Sequence, residues 1–345
     1  MKVLFKICVY IAFMCIAIYI LLYFTKSRTL INSGIVFTNQ SDNMVVSLNY
    51  PWREEGQLYL IDLDGNIKKR LTWNRHENSV GSFEKDRDRL VYSEWGGKSG
   101  GSKINILDLK TLKIRNVLNS GHLDIDPYFS PEGTKIVFIR PGRQRNEHMG
   151  FGKIWSYWDV YLCNLQDTSV RRLTQGDYYA AYGPKFFSKD SILYSLINTH
   201  GKNKFEGISK IELTSLATES TFPLNADAFI LSADQTQILY TKQDQRSKSY
   251  YFSKLILRDL ATEEEHLIFS TEKGHYLDGF SLSPDKNKVA IILKSGEARA
   301  DYSSELVLID LVTGKKRSIQ IKEGKKVLED KNKFSFSKIV SNFWL

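Results

Sequence analysis

Cysteine is scarce in this chain, and proline scarcer than its length would suggest: 3 Cys and 7 Pro among 345 residues. Cys8 and Cys15 lie in an N-terminal apolar run, so Cys163 stands alone in the body. A solitary body cysteine excludes an internal disulfide there, and stability has to come from an ordinary hydrophobic core. Cys163 is read as a structural residue. Short catalytic signatures are also missing. There is no G-x-S-x-G elbow, no glycine-rich nucleotide loop and no H-E-x-x-H, which removes the readily recognised hydrolase, nucleotide-binding and zinc-protease classes. No helical period of any length interrupts the body.

The charge is unevenly placed. The formal net charge is +9, a value that would suit a nucleic-acid partner if it were spread over one face. Lys2, Lys6, Lys26 and Arg28 flank the apolar run, and residues 315–338 form a Lys-rich stretch near the C-terminus. What lies between is close to neutral, so the excess sits at the two ends and no nucleic-acid partner is expected. Residues 7–24 read ICVYIAFMCIAIYILLYF, 18 residues without a charge, which is about the length that crosses a bilayer as a helix. Tyr10, Tyr19 and Tyr23 lie near its ends, where rings favour the interface. The run is long for a cleaved signal peptide and no small-residue cleavage site follows. It is expected to be an uncleaved signal anchor, with residues 1–6 in the cytoplasm, 25–34 as linker and the body outside the cytoplasm, periplasmic or extracellular.

Two patterns recur through the body. A strand ending in an acid–Leu or similar pair appears at Asp62, Asp108, Asn164, Glu212, Asp259 and Asp310, at nearly constant spacing. Before each, an aromatic or Leu leads into a short apolar strand: Phe37, Phe83, Phe129, Phe187, Leu231 and Leu282. Ser, Pro, Asp and Gly fill the gap between, as in SPEG at Ser130 and SPDK at Ser283, the chemistry of a tight reversal. A further strand follows each acid–Leu pair. The unit is four short strands. One such sheet cannot bury both faces, so copies must stack around an axis, giving an all-β, six-bladed propeller of antiparallel blades.

Three segments carry the motif most fully: FSPEGTKIVF at 129–138, LYLIDLDGNIKKRLT at 58–72 and VYLCNLQDTSVRRLT at 160–174. They resemble the repeat of the TolB-like propeller superfamily, with its F-S-P-D-G turn, Y-x-x-D-L strand and closing R-L-T. The resemblance covers residues 35–320 and implies a six-bladed propeller. Residues 321–345 are a basic tail whose alternating, aromatic end FSFSKIVSNFWL is placed to add a closing strand to the first blade.

Candidate functional residues fall into two groups. An insertion in the third repeat, residues 140–160, sets Arg140, Arg143 and Arg145 beside Trp155, Tyr157 and Trp158. Rings stack on apolar faces and Arg pairs with carboxylates or phosphates, a mixture suited to a protein or polysaccharide partner in the cell envelope. The leading expectation is accordingly a non-catalytic binding scaffold without a cofactor. The second group is His76, His122 and His275, each seven residues before its repeat's anchor, with Asp124, Asp126 and Asp278 close by. Residues at one repeat offset belong on equivalent loops at the channel mouth, where imidazole and carboxylate together suit a divalent metal. Propeller lyases that cleave oligogalacturonate are similar in using a His cluster with a metal there. The alternative expectation is thus a carbohydrate-active enzyme, a lyase or hydrolase.

Overall fold

The computed structural model describes residues 14, 30–49, 56–85, 87–96, 101–146, 153–175, 180–198, 204–220, 226–242, 254–272, 274–295 and 303–322. Apart from Met14, the apolar run at 7–24 lies outside the described residues, as does the tail beyond Lys322. Among the described residues no helix is long and apolar enough to cross a membrane.

These residues form 24 strands in six antiparallel meanders. Blade one is β1 (Leu30–Phe37), β2 (Asn43–Asn49), β3 (Gln57–Asp62) and β4 (Ile67–Arg70). Blade two is β5 (Glu77–Phe83), β6 (Arg89–Trp95), β7 (Ser102–Asp108) and β8 (Ile114–Leu118). Blade three is β9 (Ile125–Phe129), β10 (Lys135–Asn146), β11 (Lys153–Asn164) and β12 (Val170–Arg172). Blade four is β13 (Ala180–Phe186), β14 (Ser191–Asn198), β15 (Lys204–Glu212) and β16 (Thr218–Ser220). Blade five is β17 (Ala226–Leu231), β18 (Gln237–Lys242), β19 (Lys254–Asp259) and β20 (Glu265–Ser270). Blade six is β21 (His275–Leu282), β22 (Lys288–Ser295), β23 (Ser303–Asp310) and β24 (Lys316–Ile319). The first strand begins at Leu30, inside the stretch read as linker, because Ile31 pairs with Leu48 and is buried.

The first strands touch in cyclic order, β1 to β5, β9, β13, β17, β21 and back to β1, so they line a common axis. The middle strands carry the apolar runs. Met44, Val45, Val46 and Leu48 of β2 are fully buried, as are Ile136 to Ile139 of β10 and Val289 to Ile292 of β22. Continuous apolar strands of this kind are covered on both faces. One core cluster joins blades six and one, with Ala290, Ile292 and Leu306 against Ile35, Met44 and Val46.

The repeat residues explain themselves in place. Each inner strand ends on a buried or half-buried anchor paired with the head of the next strand: Phe37 with Met44, Phe83 with Leu90, Phe129 with Ile136, Leu231 with Ile238 and Leu282 with Val289. In blade four that residue is Phe186, paired with Ile192, rather than Phe187. The turn there is one residue tighter: Phe187 N–H bonds Ser191 C=O, whereas Ser130 N–H reaches Lys135 C=O in blade three. Where the acid–Leu pair carries Asp, the carboxylate caps a turn. Asp310 Oδ1 accepts from the backbone of Val312 and Thr313 and from the Thr313 hydroxyl. The Leu that follows donates its N–H back to the preceding turn, as Leu311 does to Asn287 C=O at 2.8 Å. In the closing R-L-T, Leu173 is buried, Thr174 Oγ1 accepts the Val160 N–H at 2.9 Å and Arg172 Nε donates to the Thr174 carbonyl.

Candidate functional site

In a meander each inner strand starts at one end of the disc and its first turn lies at the other. The connections between blades and those between second and third strands therefore share one end, the entry face. The channel runs from this face between the six inner strands.

On the entry face of blades one and two stand Trp73, 65% exposed, and Trp95, 43% exposed. Trp73 follows the closing R-L-T of blade one, and Arg70 stacks its guanidinium 3.9 Å from the indole centroid. Arg70 is held by a bond from Nε to Thr72 C=O at 2.8 Å, so the cation braces one side of the ring. Beside it, Gln57, Asn74 and Asn78 form an amide network, with Asn78 Nδ2 bonded to His76 C=O at 2.7 Å. His76 Nδ1 lies 2.6 Å from Glu94 Oε1, and Glu94 is also reached by Asn105 and Lys103. Sequence reasoning passed over Trp73 and Trp95. The signal available was an aromatic directly after a closing R-L-T, where the chain leaves the core.

The insertion of blade three extends the hairpin of β10 and β11 to 12 residues per strand. Trp155, Tyr157 and Trp158 lie within β11, and the register sets Arg143 opposite Ser156 and Arg145 opposite Ile154. Trp158 pairs with Pro141 and forms the parallel bridge to Ala180 that joins blades three and four. The side chains of Arg143, Arg145, Trp155 and Tyr157 lie outside the described residues. Arg140 is engaged inside the fold. Its Nε and Nη2 bond the fully buried Asp124 carboxylate at 2.6 and 2.9 Å, and its guanidinium stands over the Tyr161 ring at 4.9 Å. Ser102 and Ser120 complete the Asp124 shell.

The residues expected at a metal site are dispersed. His122 is exposed on the loop before β9, His275 is the exposed first residue of β21, and His76 faces Glu94. Asp278 lies in the channel 2.7 Å from Lys294 Nζ. Asp126 also lines the channel, on blade three. Among the described residues no three His, Cys, Asp or Glu side chains gather into a group that could hold a metal ion.

The channel encloses about 650 Å³ and is lined by all six inner strands. Its walls carry Asp126, Tyr128 and Lys185 from blades three and four. Burial raises the Asp126 carboxyl above its usual range, against the pull of Lys185 and a bond from the Gly183 backbone. Burial lowers the Lys185 ammonium to about 8, although Asp126 favours its charge. The Tyr128 phenol is pushed up to about 12 by burial.

No family model matches the chain. The Tol-Pal system protein TolB of Francisella tularensis is 26% identical over 149 residues, a stretch that is 41% of this chain and 30% of that protein. TolB from Acinetobacter baumannii superimposes with a TM-score of 0.61 at 16% identity, over 83% of this chain and 65% of that one. An oligogalacturonate lyase in complex with manganese superimposes at 0.54 and 14% identity, over 84% and 77% of the two chains. An acylaminoacyl peptidase does so at 0.54 and 16%, over 86% and 46%. The matched stretch is thus under a third of the length of the curated relatives. At these identities the solved structures speak for the fold, and fold alone does not carry an activity. Repeat, blade geometry and relatives agree that the body of this chain is a TolB-like six-bladed β-propeller.

Proposed function

We propose that the chain is a binding scaffold of the cell envelope that docks a partner on its entry face and performs no chemistry of its own. The observation that carries this reading is the exposed, Arg-braced indole of Trp73 on a polar rim, with Trp95 exposed at the end of β6 on the same face. Exposed Trp held rigid by a stacked cation is what a protein–protein contact uses as an anchor, because little rotamer freedom is left to lose. The long hairpin of blade three rises from the same face. The likeness to TolB supports a periplasmic setting and an envelope protein as partner. The uncharged run at 7–24 serves in this reading as a single-pass anchor that holds the disc outside the cytoplasm.

Site-specific photo-cross-linking in cells tests it. A photoreactive phenylalanine at Trp73 or Trp95 is expected to trap a discrete adduct. The same probe at Lys110 or Lys189, exposed on the opposite face, is expected to trap none. Equal labelling from both faces, or none from either, contradicts entry-face docking.

A further inference from the structure

Partner docking at the entry face leaves the charged wall of the channel unused. Each inner strand carries a bulge or irregularity where it lines the axis. Three residues before the anchor, blade one has Gly34 at φ 146° and blade four has Gly183 at φ 53°. Blade three has Asp126 there, at φ 52°. A side chain in this left-handed region is strained where glycine is free. The strain sets the carboxyl in the channel, where it accepts from the Gly183 backbone of the next blade. Lys185 projects into the same space with Nζ 4.8 Å from the Tyr128 ring centroid.

The other charges lining the channel are either matched or solvated at its rim. Asp278 is paired with Lys294 at 2.7 Å, Asp234 with Lys286 at 2.6 Å, and Lys85 sits exposed at the turn-side rim. That leaves one carboxyl and one amine on adjacent blades, each of which burial drives away from its charged form despite the other. A lone anion at Lys185 would be repelled by Asp126, and a lone cation at Asp126 by Lys185. A molecule carrying both charges satisfies both. A cavity of about 650 Å³ is of ligand size. We propose that the channel wall of blades three and four binds a small zwitterion of the amino-acid type, Lys185 taking its carboxylate, Asp126 its ammonium, and Tyr128 flanking the pair.

Calorimetric titration of the full solubilised chain tests this with glycine, L-alanine, L-glutamate and L-lysine as probes, and with acetate and methylamine as single-charge controls. At least one amino acid is expected to bind with a Kd of about 1 mM or tighter, and the controls at least about tenfold more weakly. Asp126→Asn and Lys185→Met are each expected to weaken binding by about tenfold or more. Asp126→Gly relieves the backbone while removing the carboxyl, so it is expected to fold at least as well and still not bind. Trp73→Ala is expected to leave the titration unchanged. The proposal is overturned if no amino acid binds, if acetate or methylamine binds as well as the amino acids, or if the Asp126→Gly chain binds undiminished. It is equally overturned if Mn²⁺ binds at this wall and the amino acids do not.

Discussion

Leu216 sits at φ 58° in the turn after β15, where the corresponding turns of blades one and six use Gly65 and Gly314. It is partly exposed, so little packing is lost on its removal. Leu216→Gly is expected to raise stability by about 1 kcal/mol, read as a higher denaturant midpoint at unchanged slope. The Asp at the acid–Leu pairs acts through its charge. Turn N–H groups and the Thr313 hydroxyl hold the Asp310 carboxyl below its ordinary value of 3.8. A depressed folded value means the stabilisation is present above about pH 4 and is lost as pH falls through the folded value. Asp310→Asn is therefore expected to lose less stability than the parent on acidification from about pH 5 to pH 3, measured by thermal unfolding. Cys163 was legible as structural from the repeat position it occupies, and its thiol is buried and pushed up to about 11. It is expected to resist a disulfide reagent at about pH 8 until the chain is denatured.

At the scale of the element, the closing R-L-T and the inter-blade turns hold strands together by bonds that apolar residues cannot replace. Thr174→Val leaves the buried Val160 N–H without its acceptor and removes a bond to Asp159. It is expected to cost about 1–3 kcal/mol in a denaturant titration. The six units and their order were readable in the sequence because within each blade every strand pairs with the strands next to it in the chain. What was misread follows from side-chain contacts that a pattern does not encode. Phe187 and Phe186 are adjacent and chemically equal, and only the tighter turn of blade four selects Phe186 as the anchor. Arg140 belonged by composition with its basic neighbours, yet the buried Asp124 sixteen residues earlier claims it. The channel pair of Asp126 and Lys185 was half visible: Asp126 stood out beside His122, but Lys185 comes from the next repeat and meets it only where blades three and four pack together.

Over the whole molecule, the ring formed by the described residues closes chiefly by packing rather than by a shared blade. All four strands of blade one come from residues 30–70, and blade six is likewise continuous in sequence. The seam between them holds the cluster of Ala290, Ile292, Ile35 and Met44, with bonds from Ile31 N–H to Ser304 Oγ at 2.7 Å and from Phe37 N–H to Ser281 Oγ at 3.1 Å. Past the last strand, Lys322 N–H bonds Gly65 C=O and forms a parallel bridge with Asn66, so the described start of the basic tail touches the outer edge of blade one. The closing strand expected of the tail's aromatic end, FSFSKIVSNFWL, lies outside the described residues. At the turn face, Ser41 Oγ accepts from Asp285 N–H at 3.3 Å across the same seam. Ser41 and Asp285 are separated by most of the chain and are neighbours only if six blades share one axis. A Ser41→Cys, Asp285→Cys chain lacking Cys8 and Cys15 tests this under mild oxidation. The closed ring predicts a single intramolecular disulfide in the monomer; free thiols throughout, or bonds only between chains, would contradict it.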